Sequence, residues 1–311
     1  MNIDEKYIRR CLQLAALGRG FTAPNPMVGA VVVHNGLIIG EGYHRKYGEA
    51  HAEVNAIASV RDESLLREST LYVNLEPCAH YGKTPPCAEL IVKKALKRVV
   101  IGHIDPFGKV SGRGAEILRQ AGIEVVSGVL EEECKELNKR YLTYIQHKRP
   151  YVILKWACSS DGFMDRLREE GDGQRPFRFS NDFTQMLVHK LRAEEAAIMV
   201  GKRTMLLDKP QLNVRFWSGN DPLKTTADSR LPLSEQLSAL RGQKIQSLIV
   251  EGGAKLLNSF LNEELWDEIQ VEIAPFILGE GVPAPRPKGI LKNIEKCENS
   301  FIFHYLNASK P

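Results

Sequence analysis

The sequence predicts an α/β protein of two domains, residues 1–147 and 148–311. Three observations carry this. The 311 residues exceed what a single hydrophobic core usually grows to cover. Both halves alternate short apolar runs with segments of helical period, the pattern of mostly parallel sheets covered on both faces. Between the halves, after a helix starting near Glu131, "YIQHKRP" is polar and basic, and the chain resumes near Lys148 with the apolar run "YVILKWA".

The elements follow in order. Tyr7, Ile8, Cys11, Leu12 and Ala15 recur at helical spacing, with Gly18 and Gly20 as a stop. "VGAVVVHNGLIIGEGYH" holds two apolar runs around Asn35-Gly36, a strong hairpin signal. "AHAEVNAIASV" reads as a helix, "STLYVNLEP" as a strand, "PPCAELIVKKAL" as a helix and "KRVVIGHIDP" as a strand. "GRGAEILRQAG" and "IEVVSGVL" repeat the alternation. In the second half, "YVILKWACSSDGFM" is a buried-strand pattern and "FTQMLVHKLRAEEAAIMVG" a helix running into a strand. "IQSLIVEGGAKLLNSFL" reads as strand, glycine turn and helix, and "EIQVEIAPFIL" as a further strand. There is no internal repeat and no low-complexity segment.

Composition excludes several classes. A formal net charge of +4 is too small to signal a nucleic-acid or membrane partner. The opening "MNIDEKYIRRCLQLAALG" does not resemble a signal peptide, and no apolar run is long enough to span a bilayer. Six cysteines without a secretory signal argue for a reducing, cytoplasmic setting, where paired cysteines more often bind metal than form disulfides.

Metal-binding residues are placed by local order. His51 falls at the start of one helix, Cys78 in the turn after a strand and Cys87 at the start of another helix, each cysteine directly after a proline. One imidazole and two thiolates give three zinc ligands and leave a fourth position open, as a catalytic zinc requires. Such a metal lowers the pKa of its water toward ~7. Glu53, two residues after His51, is not needed as a ligand and is the candidate proton carrier. The pattern matches H-x-E…P-C-x-x-C of zinc nucleobase deaminases, except that "AHYGKTPP" separates the cysteines. Each residue alone is common in a structural role; the set in this order is not. His80 is the one obvious candidate for a fourth, closing ligand, but its loop suits a substrate better. Lys83, the Thr84 hydroxyl and amides freed by Gly82 fit a phosphate. Asn25 in "TAPNPMVGA" can read a base edge, and His44 stands close to the zinc histidine in sequence.

On these residues the chain resembles a known family. "PNPMVGAVVV", "HRKYGEAHAE" and "LEPCAHYGKTPPC" look like the deaminase half of the bifunctional riboflavin-biosynthesis deaminase/reductase. The resemblance covers about the whole chain and implies a cytidine-deaminase-like three-layer domain followed by a dihydrofolate-reductase-like domain. It implies hydrolytic deamination of a diamino-hydroxy-phosphoribosylamino-pyrimidine, with His51, Cys78 and Cys87 on zinc and Glu53 moving protons. Asn25, His44, Asn74, His80 and Asp105 would surround the pyrimidine or ribose, with Lys83 near phosphate.

In the second half the residues themselves say less. Two glycines join a strand to a helix in "IVEGGAKLLNSF", and helix N-terminal amides bind phosphate. Glu251 closes that strand, at the end where α/β ligands collect. Lys155 lies on a strand and Asp161 precedes a glycine. "MVGKRTMLLDKPQLNVR" and "SLIVEGGAKLLNSFL" resemble the family's reductase half, which implies NADPH giving a hydride to the sugar C1′ as ribose opens to ribitol. By that resemblance Ala157, Thr204, Asp208, Gly253, Ala254, Lys255, Leu256, Leu257, Asn258 and Ser259 face NADPH. Lys155, Arg192, Leu212, Arg215 and Glu251 face the substrate, the two arginine forks suiting its phosphate. Cys11, Cys134, Cys158 and Cys297 read as core or incidental.

The resemblance departs in three places. The family's "SLDG" is "SSDG" here, and "GDGQRPFRFSN" lacks a tryptophan that many relatives carry. Between Trp217 and Ile245 the family's strands beside the cofactor have no β-branched run to form them, only a helical pattern around Leu237. Either those elements are lost or the chain is interrupted. The second is preferred, with a Cα–Cα step between Leu223 and Asp228 well beyond the ~3.8 Å of a trans peptide.

Two other readings compete. A nucleic-acid base deaminase would need a basic, aromatic-rich groove, which 7% aromatic content disfavours. A deaminase whose second half only binds or dimerises would not bind NADPH. The family resemblance also implies a homo-oligomer.

Overall fold

The computed structural model describes residues 2–81, 85–107, 111–169 and 175–308. It divides into two compact units, Met1–His147 and Lys148–Pro311.

The first unit is a sheet sandwiched between helices. α1 (Ile3–Ala16) starts where the Asn2 side chain accepts from the Asp4 N–H and buries Tyr7, Ile8, Cys11, Leu14 and Ala15. β1 (Gly29–His34) and β2 (Leu37–Tyr43) form the expected hairpin, with Asn35 at φ 48° and Gly36 at φ 78°. α2 (Ala52–Ala58), a 3₁₀ turn (Glu63–Glu68), β3 (Thr70–Leu75), α3 (Cys87–Lys93) and β4 (Arg98–His103) follow. α4 (Arg113–Gln120), β5 (Glu124–Ser127), α5 (Glu131–Leu137) and α6 (Lys139–Gln146) complete the unit.

The strand order is β2-β1-β3-β4-β5. Only β3, β4 and β5 run parallel; β1 is antiparallel to both neighbours, to β2 through the two-residue turn and to β3 across the sheet. Alternation along β1 sends Ala30 and Val32 to the core under α2, α3 and α4, and Val31 and Val33 to the core under α1 and α5. α2 lies so close on β2 that a Cβ at Gly42 would sit 2.3 Å from the Ala56 nitrogen. That contact seats the helix that carries Glu53.

The second unit contains β6 (Tyr151–Ser159), β7 (Phe163–Asp165), α7 (Asp182–Glu194), β8 (Ala197–Gly201), α8 (Lys202–Asp208) and β9 (Leu223–Ala227). α9 (Leu233–Gly242), β10 (Ser247–Glu251), α10 (Ala254–Asn262), β11 (Glu268–Ala274), β12 (Val282–Pro283), β13 (Ile290–Cys297) and β14 (Ser300–Leu306) follow. The main sheet runs β13-β14-β11-β6-β10-β8-β9, parallel from β11 to β9 and antiparallel at β14 and β13. Val152, Leu154, Trp156 and Cys158 of β6 pack with α9 and α10 on one face. Ile198, Val200 and Ile249 pack with Leu212 on the other. Burying a side chain such as Phe260 or Ile153 contributes roughly 1.5–3 kcal/mol.

The expected interruption between Leu223 and Asp228 is not found. These residues form β9, in parallel register with β8 from Ala197↔Leu223 to Gly201↔Ala227. β9 is a largely exposed edge strand with one hydrogen-bonded neighbour, and its adjacent Thr225 and Thr226 are the β-branched residues that the sequence reading passed over. All six cysteines are free, and the four outside the metal cluster are buried. No helix among the described residues is long and apolar enough to cross a membrane.

Two candidate active sites

His51 is the N-cap of α2, and Cys87 opens α3 after Pro86. Cys78 lies between β3 and α3, where its Sγ accepts from the Cys87 N–H at 3.3 Å and its carbonyl from the Ala88 N–H at 3.1 Å. His51 Nδ1 is 3.6 Å from Cys78 Sγ and 3.3 Å from Cys87 Sγ. A tetrahedral zinc sets nitrogen and sulfur ligands about 3.5 Å apart, so this cluster fits the ion. The thiols fit it too. Cys87, the His51 ring and the Cys87 N–H hold the Cys78 thiol well below its ordinary range, while Cys78 and burial push Cys87 up. Zinc takes its cysteine ligands deprotonated, so the low-lying Cys78 thiol suits the ion. Among the described residues this is the one His/Cys/carboxylate group close enough to hold a metal.

Glu53 sits in the first turn of α2 at 3% exposure. Burial and then the Cys78 thiolate push its carboxyl up to about 7. His44, also buried, approaches Ala50 O with Nδ1 at 3.1 Å and Asn25 Nδ2 with Nε2 at 3.2 Å. A carbonyl only accepts and an amide N–H only donates, so the ring is the neutral Nδ1–H tautomer, and burial lowers its pKa accordingly. The ring packs edge-on to His51.

The other deaminase candidates fall differently. Asn74 is fully buried, with Oδ1 accepting from Gly29 N–H at 2.8 Å and Nδ2 donating to Met27 O at 3.1 Å. It fastens the loop before β1. Asp105, 7% exposed, accepts from Tyr141 OH at 3.1 Å on each oxygen and from Phe107 N–H at 2.9 Å. His80 is exposed, with its ring against Phe107, and is not in the metal cluster. Lys83, with Gly82 and Thr84, lies outside the described residues, as does the "GDGQ" stretch of the second unit.

The second unit holds a cleft of about 350 Å³. Lys155, Ala157, Arg192, Thr204, Asp208, Leu212, Arg215, Glu251 and Gly252 line it. Gly252 at φ 100° and Gly253 at φ 64° turn β10 into α10, and a Cβ on Gly252 would sit 3.2 Å from Thr204 Cγ2. The N-terminal amides of α10 have no side-chain cap. Such a glycine turn at a helix N-terminus fits a dinucleotide phosphate.

Not every expected residue reaches the cleft. From Gly253 to Ser259 the lining stops: Leu257 is buried in the core, Ser259 Oγ bonds to Lys255 O at 3.1 Å, and Lys255 and Asn258 are exposed. Ala254 and Leu256 are half-buried on α10. Asp208 accepts from Arg168 at 2.7 Å. The Arg192 fork is engaged by Glu251, with Nη2–Oε2 at 2.5 Å and Nε–Oε1 at 3.2 Å, rather than free for a phosphate. Burial raises the Glu251 carboxyl, but Arg192, then Lys155 and His189, outweigh it and leave it below its ordinary value.

Two residues escaped the sequence reading. His189 lines the cleft at 1% exposure and accepts at Nδ1 from the Arg215 N–H, 2.9 Å away. Its signal was position three residues before Arg192 on one helix. Glu76, in "LEPC", is a buried carboxylate beside the zinc cysteine, and its acid between an apolar strand and a proline was the visible sign.

Comparison with known proteins now bears on both sites. Residues 1–103 match the cytidine and deoxycytidylate deaminase zinc-binding region. Residues 150–236 and 221–303 match the RibD C-terminal domain. The riboflavin biosynthesis protein RibD of Aquifex aeolicus is 40% identical over 324 aligned positions, covering 90% of this chain and 89% of that one. The chain belongs to the RibD family. The Escherichia coli RibD is 34% identical over 89% of each chain. The crystal structure of a diaminohydroxyphosphoribosylaminopyrimidine deaminase/5-amino-6-(5-phosphoribosylamino)uracil reductase from Thermotoga maritima superposes with a TM-score of 0.88 at 34% identity, over 98% of this chain and 99% of that one.

As a RibD-family protein the chain carries both a deaminase and a reductase domain of riboflavin biosynthesis, the first using zinc and the second NADPH. The two matches to the RibD C-terminal domain share residues 221–236, and the Aquifex alignment has more positions than this chain has residues. Through Leu223–Ala227 the backbone is continuous.

Proposed function

We infer that the first unit deaminates a diamino-hydroxy-phosphoribosylamino-pyrimidine and that the second reduces the ribosyl group of the resulting aminouracil to ribityl. The observation that carries the first step is the His51/Cys78/Cys87 cluster with buried Glu53 beside it. These three residues would hold zinc, which supplies a water acidified toward pKa ~7. Glu53, buried beside the cluster, would take a proton from that water and pass it to the departing amino nitrogen. The chain from Ala50 O through His44 to Asn25 fixes the Asn25 amide, leaving its oxygen to accept from the pyrimidine. His80 and Asp105 would border the substrate, Asn74 would hold the loop before β1, and Lys83 is assigned to phosphate on the resemblance alone.

In the second unit NADPH would supply a hydride to the sugar C1′. Thr204 and the Gly252–Gly253 turn would receive its phosphates, with Ala157 and Asp208 beside them. Lys155, which faces Glu251 across the β6–β10 register, and Arg215 would hold the substrate. Arg192 would act through Glu251, and Leu212 would close the cleft wall.

The partners are small phosphorylated pyrimidines rather than nucleic acid, and a cytoplasmic setting accords with six free cysteines. A homo-oligomer is supported by apolar side chains on the outer hairpin of the second unit: Ile290 is 63% and Phe301 43% exposed. The test is NADPH oxidation with purified protein. The deaminated phosphoribosylaminouracil should be reduced directly, and the diamino precursor only after ammonia release. Deamination without any NADPH oxidation would overturn the bifunctional reading in favour of a second unit that only binds.

A further inference from the structure

Glu76 makes no contact that the chemistry above requires, yet it is 4% exposed and its carboxylate is engaged on both oxygens. It follows β3 directly, and its own N–H continues the ladder by donating to His103 O at 2.9 Å. Oε2 accepts from the Asp105 N–H at 3.2 Å and the Gly112 N–H at 3.0 Å. Oε1 accepts from the Ala115 N–H at 3.1 Å. These donors lie at the two ends of the segment between β4 and α4. Gly112 is the N-cap of α4 and has no side chain to offer, so the cap comes from β3 instead.

The segment that Glu76 closes carries Asp105, whose carboxylate is turned by Tyr141 and Phe107, and Phe107, whose ring meets His80 at 6.2 Å between centroids. A side chain two residues before the candidate zinc ligand Cys78 thus fastens the segment that carries Asp105.

We propose that Glu76 is a positioning residue of the deaminase: by accepting from Asp105, Gly112 and Ala115 it holds Asp105 in register for the pyrimidine substrate. This rests on the assignment of Asp105 to that substrate. Charge-assisted bonds to buried backbone N–H groups are among the stronger ones a side chain makes. Glutamine keeps the shape but turns one oxygen into a donor that faces another donor. The loop must then shift, while zinc and Glu53 keep their own supports.

The experiment is a double-mutant cycle on the full zinc-loaded chain, using Glu76→Gln, Asp105→Asn and both together. Glu76→Gln is expected to raise the deaminase KM about 10-fold with kcat changed less than about 3-fold. Zinc should stay at one per chain and the NADPH-dependent rate unchanged. In the Asp105→Asn background Glu76→Gln should add less than about 2-fold. A full repeat of its effect there, loss of zinc, or an unchanged KM would overturn the proposal. Asp105→Asn with unchanged KM would instead show that Asp105 does not serve the substrate, which removes the underlying assignment. Should Glu76→Gln be insoluble, Glu76→Asp, which keeps the charge but draws it back by one methylene, enters the same cycle. Failure of both to fold would make Glu76 a folding residue and refute the proposal.

Discussion

Replacing Arg192 by methionine would leave Glu251 buried with its main partner gone. The two side chains are 12% and 13% exposed and meet through two hydrogen bonds, while Arg192 Nη1 also reaches Asn213 O at 3.3 Å. Breaking a buried pair from one side costs about 3–5 kcal/mol. Lys155, opposite Glu251 in the sheet, should keep the loss near the lower end. For a unit of this size each kcal/mol moves the Tm by about 2–4 °C, so a fall of roughly 6–12 °C is expected.

Trp156, Trp217 and Trp266 are the protein's three tryptophans, and all lie in the second unit, so selectively excited tryptophan fluorescence follows its unfolding. The pH dependence has a definite sign. With Arg192 present, Glu251 is held below its ordinary value, so the pair's contribution is whole above pH ~4.3 and fades as pH falls through the folded value. Without Arg192, burial raises the carboxyl, and the variant loses stability as pH rises. The deficit should therefore be larger at pH 8 than at pH 5. The double variant Arg192→Met/Glu251→Gln should regain most of the loss. A shift below about 2 °C, or a double variant as unstable as the two single losses summed, would refute the pairing and return Arg192 to the substrate phosphate.

Glu53→Gln should lower deamination by ~10²–10⁴-fold or more while metal analysis still finds one zinc per chain and supplied intermediate is still reduced; normal deamination would remove Glu53 from the chemistry. Asp4→Asn breaks the paired contacts of Asp4 with Arg98, both 2.9 Å, and one with Tyr72. It should cost the first unit about 2–3 kcal/mol at pH 7 in urea unfolding followed by deaminase activity. Arg98 holds the Asp4 carboxyl below its ordinary value, so that difference should shrink as pH drops below ~3.9, and a constant difference would exclude the ion pair as its source. Lys83→Ala should weaken the phosphorylated substrate far more than its dephosphorylated analogue, and equal losses would mean that the lysine does not read phosphate.

What the sequence made legible was local. Asn35-Gly36 dictates its own turn, and His51, Cys78 and Cys87 are spaced by elements whose ends their prolines and caps mark. The β13–β14 hairpin was not read, because β13 exposes seven of its eight residues and Lys292, Glu295 and Lys296 erase the alternation that a half-buried strand shows. β9 was missed for the same reason, as an exposed edge. The Arg192–Glu251 pair spans 59 residues, and the Glu76 contacts reach 29 to 39 residues ahead. No periodicity announces such partners; only the sheet brings them together. Arginine on a helix near a ligand cleft reads as an anion site until the acid that occupies it is located.

The candidate metal ligands come from the N-cap of α2, the turn after β3 and the first residue of α3, with His51 and Cys87 separated by 36 residues. β3 lies between them in the chain and sits in the sheet between β1 and β4. A ribosome-bound chain that has not yet extruded Cys87 has no complete triad, and one that has extruded it still lacks β4 beside β3. Completion of the triad is thereby tied to the order of synthesis: its three side chains can meet only once the chain has been made through Cys87.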